Sequence, residues 1–476
     1  MSKRLGWLLG VVVLVAIGVL VACGSNYDAS SDGLMLVGSQ GSGLVETFSF
    51  NLGTGSTAAV SNSPQDTSNE VCVLGGLPSS LVVDPAGAYA YAIITGNPLC
   101  NTTTPPFTST NGILAFKVNS DGTTTQVVTK PVSFTLGTVT PCVPAPPPST
   151  SCQLSSSPEQ VPVVPGTMVM DPAGKFLFVA DRATTDSMGL YVPGAVSVFA
   201  IGSGGSVTEV AGSPFFTSTM PTTLAQSGLD IVSVAPTPTV FPPIGINGVQ
   251  NSICSNPALN PPTSEYLYAV DGLGNQVFEF VVNTTSGVLT NPGNGSSVPA
   301  FGTDPTPAGV AVDPCDRFVY VSDSLTERVS AYSICNGSVT SQPVPCEPLT
   351  PGALVPVTGS PFVLSGSANG AGPIVVDPYG NYVYVLNTLS STINVLKISP
   401  ISGSLLAQTP PTVATGTGPR SIAIRADDSW MFVTNFGSTT VGGNTVSQYA
   451  VTPATGALTP LPAIQTDNYP WGVAVK

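Results

Sequence analysis

PAGVAVDPCDRFVYVSDSLTERVSAYSI, residues 307–334, carries three strand-like runs separated by turns. Residues 309–312 form a short apolar run, Asp313 and Pro314 break it, 318–321 form a second run, and 328–334 mix polar and apolar residues in a third. The Asp-Pro pair suits a tight turn, because Asp bonds backbone two residues on and Pro presets φ for the first corner position. A fourth strand is expected at PVTGSPF, residues 356–362. Four strands in a repeat tens of residues long are the mark of a propeller blade.

The same pattern returns along the chain. It recurs at LVVDPAGAYAYAI (81–93) with LAFKV (114–118), and at MVMDPAGKFLFVAD (168–181) with VSVFAI (196–201) and GSPF (212–215). IVSVAP (231–236) and YLYAVD (266–271) form a fourth unit interrupted by a long Pro- and Asn-rich insertion. IVVDPYGNYVYVLN (374–387) with INVLKI (393–398), and IAIRADDSWMFVTN (422–435) with VSQYAV (446–451), complete the later units. LMLVGS (34–39) and VETFSF (45–50) read as second and third strands without a first, and WGVAV (471–475) reads as a first strand alone. One blade built from both ends would close the ring and leave no free sheet edge. The expectation is an all-β chain: a seven-bladed β-propeller of four-stranded blades over residues 34–476.

The composition agrees with many short strands and turns. Of 476 residues only 8% are charged and 42% are hydrophobic, with 50 Gly and 47 Pro. The net charge of −14 repels phosphate backbones and anionic lipid surfaces, which argues against nucleic acid as a partner. At the N-terminus, Lys3 and Arg4 precede an apolar stretch over 5–22, and Leu20-Val21-Ala22-Cys23 resembles a bacterial lipobox. On that reading residues 1–23 are a lipoprotein signal, Cys23 is the lipidated residue, and 24–33 are a tether. The protein would then be exported to the cell envelope and touch the membrane through its lipid alone.

Nine cysteines less Cys23 leave an even set in an exported chain, which reads as a disulfide framework. The alternating faces of propeller connections permit the pairs Cys72–Cys100, Cys142–Cys152, Cys254–Cys315 and Cys335–Cys346. A thiolate metal site is the weaker reading, since the chain has no histidine and no CxxC pair.

YVYVLN, MFVTN, VDPAGKF, SGSLLAQ and TGALTPL resemble the YVTN-type repeats of the seven-bladed lactonase-like (6-phosphogluconolactonase) propellers. The resemblance implies lactone chemistry at the mouth of the central channel, performed by His, Glu and Arg, with GPRH-like segments opening a first strand. Here that segment is Gly418-Pro419-Arg420-Ser421, with serine at the histidine position. The absence of histidine removes Ser-His-Asp and Cys-His nucleophile systems and any imidazole base.

A second group of candidates closes the second strands: Asp181, Asp271 and Asp323 in three blades, Asn387 and Asn435 in two, Ser39 and Ile94 in the rest. Arg182, Glu327 and Arg328 are their neighbours. Turn chemistry explains such residues; a polar binding mouth for Ca²⁺ or a basic or carbohydrate-like ligand is the functional alternative. Asp84, Asp171, Asp313 and Asp377 read as turn residues. The main functional expectation is an anchored binding scaffold that uses the long connections over 95–111, 130–166 and 216–228 to hold a protein or carbohydrate-like ligand. The alternative is a lactone hydrolase using Arg420 with Asp323 or Asp271.

Overall fold

The computed structural model describes most of residues 32–476; residues 1–31, 67–75, 97–110, 217–230, 237–264, 293–298, 336–349 and shorter pieces elsewhere lie outside the described residues. Seven antiparallel sheets, each built on four strands, form seven blades, and no α-helix is present among the described residues.

Blade five is the organising repeat. Its strands run Pro307–Val312, Phe318–Asp323, Arg328–Ile334 and Leu354–Pro356 from the axis outward. The second strand is buried along its whole length, because blades pack against both of its faces; hence its continuous apolar run rather than an alternation. The outermost strand differs from the expected one. It consists of two short pieces, Leu354–Pro356 and Phe362–Val363, lying on either side of the PVTGSPF turn and both paired with the third strand. Blades one to four split the same way, whereas Leu405–Ala414 of blade six and Ala457–Gln465 of blade seven are continuous across a bulge.

Each Asp-Pro turn is held as its sequence requires. Asp84 Oδ1 accepts the N–H groups of Ala88 and Tyr89 at 2.6 and 2.8 Å, and Asp377 Oδ1 accepts those of Asn381 and Tyr382 at the same distances. The fourth turn residue is left-handed, as Gly87, Gly174 and Gly380 with φ of 63 to 68° and as Asp316 and Asp428 with φ of 57 and 55°.

The ring closes through Pro470–Val475, which pairs antiparallel with Asp32–Ser39, Val473 opposite Val37 and Val475 opposite Met35. Blade one therefore takes its innermost strand from the far end of the chain. The core is not central but divided among seven seams, each an apolar cluster spanning two adjacent blades. Tyrosines bolt three seams: the hydroxyls of Tyr268, Tyr320 and Tyr384 donate to the carbonyls of Gly352, Gly403 and Gly456 on the next blade at 2.6, 3.1 and 3.1 Å. Those glycines explain the SGS and TGA motifs, since each has φ above 60° and a Cβ on Gly403 would enter the Phe318 ring.

Cys315 and Cys335 are buried and disulfide-bonded. Cys72, Cys100, Cys254 and Cys346 lie outside the described residues. In the hairpin of Cys142–Pro144 and Cys152–Leu154, Cys142 stands opposite Leu154 and Cys152 opposite Pro144, so the two cysteines are offset by two positions. Cys23 and the signal and tether segments, like most of the long connections, also fall outside the described residues.

Candidate functional site

The seven innermost strands surround a channel whose cavity is about 540 Å³. Its wall is made mostly of the small and aliphatic residues of those strands, and Arg420 is the single charged side chain among its described lining residues. Ser421, at the position where the resemblance expects histidine, is also in the wall.

Arg420 reaches the mouth because of a bulge. The innermost strand of blade seven, Pro419–Ile424, pairs Pro419 with Asn435 and Ser421 with Thr434, leaving Arg420 as the extra residue. Blade one repeats this geometry: Pro470 pairs with Ser39 and Gly472 with Gly38, leaving Trp471 as the extra residue. A bulge bends the strand and redirects the unpaired side chain, and here two redirected side chains from neighbouring blades meet. The Arg420 guanidinium lies 5.1 Å from the Trp471 ring centroid and 5.2 Å from that of Phe436.

Phe436 follows Asn435 in the second strand of blade seven, Trp430–Gly437, and stacks edge-on against Trp471 at 5.1 Å. Tyr469 extends the group, 5.1 Å from Phe436, exposed and with φ of 59°. Its backbone is clamped on both sides, the N–H donating to the Gly443 carbonyl at 2.8 Å and the carbonyl accepting from Gln40 at 2.9 Å. Two aromatic rings, with Tyr469 packed beside them, thus hold one exposed cation over an apolar channel. Each cation–π contact adds about 0.5–1 kcal/mol at such a site, and among the described residues no carboxylate forms a salt bridge to Arg420, so its donors face the solvent. Sequence reading named Arg420 and missed its partners. Pro470-Trp471-Gly472 aligned on Pro419-Arg420-Ser421 was the available signal.

The residues closing the second strands do not line this cavity. Asp323 is fully buried, and its Oδ2 accepts the backbone N–H of Ser330 at 3.0 Å and the Ser330 hydroxyl at 2.8 Å. Asp181 accepts the Ser197 hydroxyl at 2.7 Å, Asn387 donates to Asn394 Oδ1 at 2.7 Å, and Asn435 donates to the Ser447 hydroxyl at 3.0 Å. Blade one inverts the pair, with Ser39 donating to Glu46 Oε2 at 2.8 Å. In each case the partner is the third-strand residue two beyond the one paired with the closing residue.

The third-strand partner then binds the segment that enters its own blade from the preceding one: Asp304 N–H to Ser330 Oγ at 3.3 Å, Gly416 N–H to Ser447 Oγ at 3.0 Å, and Asp467 N–H to Glu46 Oε2 at 3.0 Å. These are clamps between blades. Asp271 instead accepts the N–H groups of Leu273 and Gly274 at 3.1 and 2.9 Å within its own hairpin, and blade two has Ile94 in the apolar core.

The clamp carboxylates are shifted by their surroundings. Burial pushes Asp323 up to about 8 against its bonds from Ser330, and burial raises Glu46 and Asp181 as well. Of the neighbours, Arg328 pairs with Asp304 at 3.3 Å, Glu327 Oε1 accepts the Gly370 N–H at 3.0 Å, and Arg182 is exposed with its aliphatic stem against Gly166. Arg420, Asp323 and Asp271 therefore do not converge on one cavity. Among the described residues, no three acidic or cysteine side chains gather as a metal site.

Residues 349–474 match a family model described as Lactonase, 7-bladed beta-propeller. The matched segment takes in the outer edge of blade five, blades six and seven and the closing strand, and the likeness to that family is a likeness of this segment. Two solved structures carry the likeness across the ring. A Bacteroides uniformis protein provisionally named a 6-phosphogluconolactonase is 19% identical with a TM-score of 0.58, covering 94% of this chain and 100% of its own. The periplasmic gluconolactonase PpgL of Pseudomonas aeruginosa is 16% identical with a TM-score of 0.57, covering 94% and 99%. At these identities the likeness establishes the fold. No curated protein matches the chain in sequence.

Proposed function

We propose that this propeller receives a lactone at the mouth of its central channel and promotes its hydrolysis, with Arg420 holding the carbonyl oxygen. The observation that carries the reading is the placement of Arg420: one cation, aimed by a bulge and braced by Phe436 and Trp471, in a wall whose other described residues are uncharged. A planar guanidinium presents fixed donors to a carbonyl or carboxylate oxygen, and the exposed ring of Tyr469 suits the flat side of a sugar-like ring. The match to the lactonase family supports the same class of substrate.

In the hydrolytic step hydroxide attacks the carbonyl carbon, Arg420 stabilises the oxyanion, the ring C–O bond breaks, and the leaving alkoxide takes the proton of the new carboxylic acid, directly or through water. Among the described residues the cavity wall contains no carboxylate. Arginine stays charged throughout the working range, so the rate should follow hydroxide, rising roughly tenfold per pH unit without the plateau that a titrating carboxylate base would impose.

A panel of sugar and acyl lactones assayed with the secreted form tests this. Hydrolysis that disappears in Arg420→Ala at unchanged melting temperature is the expected result. No turnover of any member, or full activity in Arg420→Ala, overturns it. The envelope location through Cys23 is part of the same proposal, and the periplasmic setting named for PpgL accords with it.

A further inference from the structure

On the rim opposite the channel mouth, the turns between first and second strands of blades five, six and seven meet across the seams between them. In the seam of blades five and six the meeting is cationic. Arg317 Nε and Nη2 each donate to Asp313 at 2.7 Å, Nη1 donates to the Pro400 carbonyl at 3.1 Å, and Nη2 also reaches the Gly380 carbonyl at 3.2 Å. Both Asp313 and Arg317 are buried. The fourth turn position of blade six is glycine here, and a Cβ on Gly380 would collide with the Asp313 carboxylate.

The seam of blades six and seven uses the same frame with different residues. Aligned on Tyr320, Tyr384 and Phe432 of the second strands, Asp377 stands for Asp313, Asn381 for Arg317, and Asp428 for Gly380. The guanidinium is gone and a second carboxylate has come. Asp428 is 0% exposed and neither of its oxygens has a hydrogen-bond partner; Asp377 spends Oδ1 on its own turn and leaves Oδ2 buried without a partner. Burial first, and then the charges of Asp377 and Asp427, push the Asp428 carboxyl up to about 8. Asp427 is itself paired with Arg425 and Ser429, which keeps that arginine from neutralising the pair. Two carboxylates facing each other in a dry seam are strongly unfavourable unless a positive charge lies between them, and the neighbouring seam shows that this location accommodates one.

We propose that the seam of blades six and seven binds a divalent cation of the calcium type between the carboxylates of Asp377 and Asp428. Pro453 aligns with Pro400 through the equivalent Gly456 and Gly403, so the carbonyls of Asp428 and Pro453 are the counterparts of those that receive Arg317. All of these donors are hard oxygens, the set calcium prefers, and calcium tolerates irregular geometry completed by water. The cation does for this seam what Arg317 does for the one before it.

Thermal melts of the full-length protein near neutral pH, in EDTA or in millimolar CaCl₂, test the site with two variants. Asp428→Gly installs the residue that blades two, three and six use at this left-handed position, so it removes a ligand without straining the turn. Asn381→Arg supplies the guanidinium of blade five in place of the metal. Calcium should raise the wild-type melting temperature by ~2 °C or more and leave both variants unmoved, with Asn381→Arg in EDTA melting as high as the calcium-loaded wild type. No calcium response in the wild type, or a response retained in both variants, overturns the proposal. So does an EDTA-treated protein that mild acid stabilises and calcium does not, because a shared proton then fills the seam.

Discussion

Removing residues 470–476 should bring the domain close to global unfolding. Val473 and Ala474 are 4% and 6% exposed, and the strand they cover, Leu34 to Val37, has no exposed side chain. Val473 packs with Met35, Val37 and Phe432, and Ala474 with Leu34, Leu36 and Leu81. Burying one such aliphatic side chain stabilises by about 1.5–3 kcal/mol. Loss of Val473 and the uncovering of two or three partners therefore amount to roughly 5–12 kcal/mol, which is comparable with the whole stability of an ordinary domain. The deletion also leaves the strand Asp32–Ser39 as an unpaired edge of blade one. Guanidinium denaturation followed by tryptophan fluorescence measures the effect, and Val473→Ala is a milder control that removes two carbons and should cost about 2 kcal/mol. A truncated protein with an unchanged midpoint and no tendency to aggregate would refute the closure argument.

Other outcomes follow from the seams and clamps. Arg317→Ala leaves the buried Asp313 without its guanidinium and should destabilise by about 3–5 kcal/mol in urea melts, whereas Lys117→Ala, with its exposed side chain, should change little. Asp323, Glu265 and Glu279 are pushed up to about 8 by burial, so the folded state holds protons that the unfolded chain releases near pH 4. Their stabilisation is complete below about pH 4, declines as pH rises from there and is gone above about 8. Asp323→Asn, which copies Asn387 and Asn435 of blades six and seven, should flatten that decline; a melting temperature that climbs from pH 5 to pH 8 contradicts the assignment. Non-reducing peptide mapping should join Cys315 to Cys254 and Cys335 to Cys346, each bridge contributing about 2–4 kcal/mol.

The fold was legible because its determinants are local and repeated. Asp-Pro turns, continuous apolar second strands and the third-strand runs recur in register, and the orphan strands at 34–39 and 471–475 pointed to their own pairing. The outer strands were not legible, since Leu354–Pro356 and Phe362–Val363 are too short to carry periodicity. The site was half legible. Arg420 stood out as a charge opening an apolar strand, but Phe436, Tyr469 and Trp471 come from three positions that only ring closure and two bulges bring together. Asp271 and Asp323 carried the right chemistry at a strand end, yet sequence could not tell that their side chains turn into hairpin and clamp bonds rather than toward the axis.

The central claim is that Arg420 recognises a carbonyl or carboxylate oxygen at the channel mouth, and ligand titration tests it most directly. Calorimetric titration of a lactone's ring-opened acid avoids turnover and reads recognition alone. One charge-assisted contact of about 1.5–3 kcal/mol corresponds to roughly a 10- to 150-fold change in affinity. The account predicts a single site on the wild type, weakened by that factor in Arg420→Ala and partly weakened in Trp471→Ala at unchanged melting temperature. Equal affinity for wild type and Arg420→Ala would contradict it.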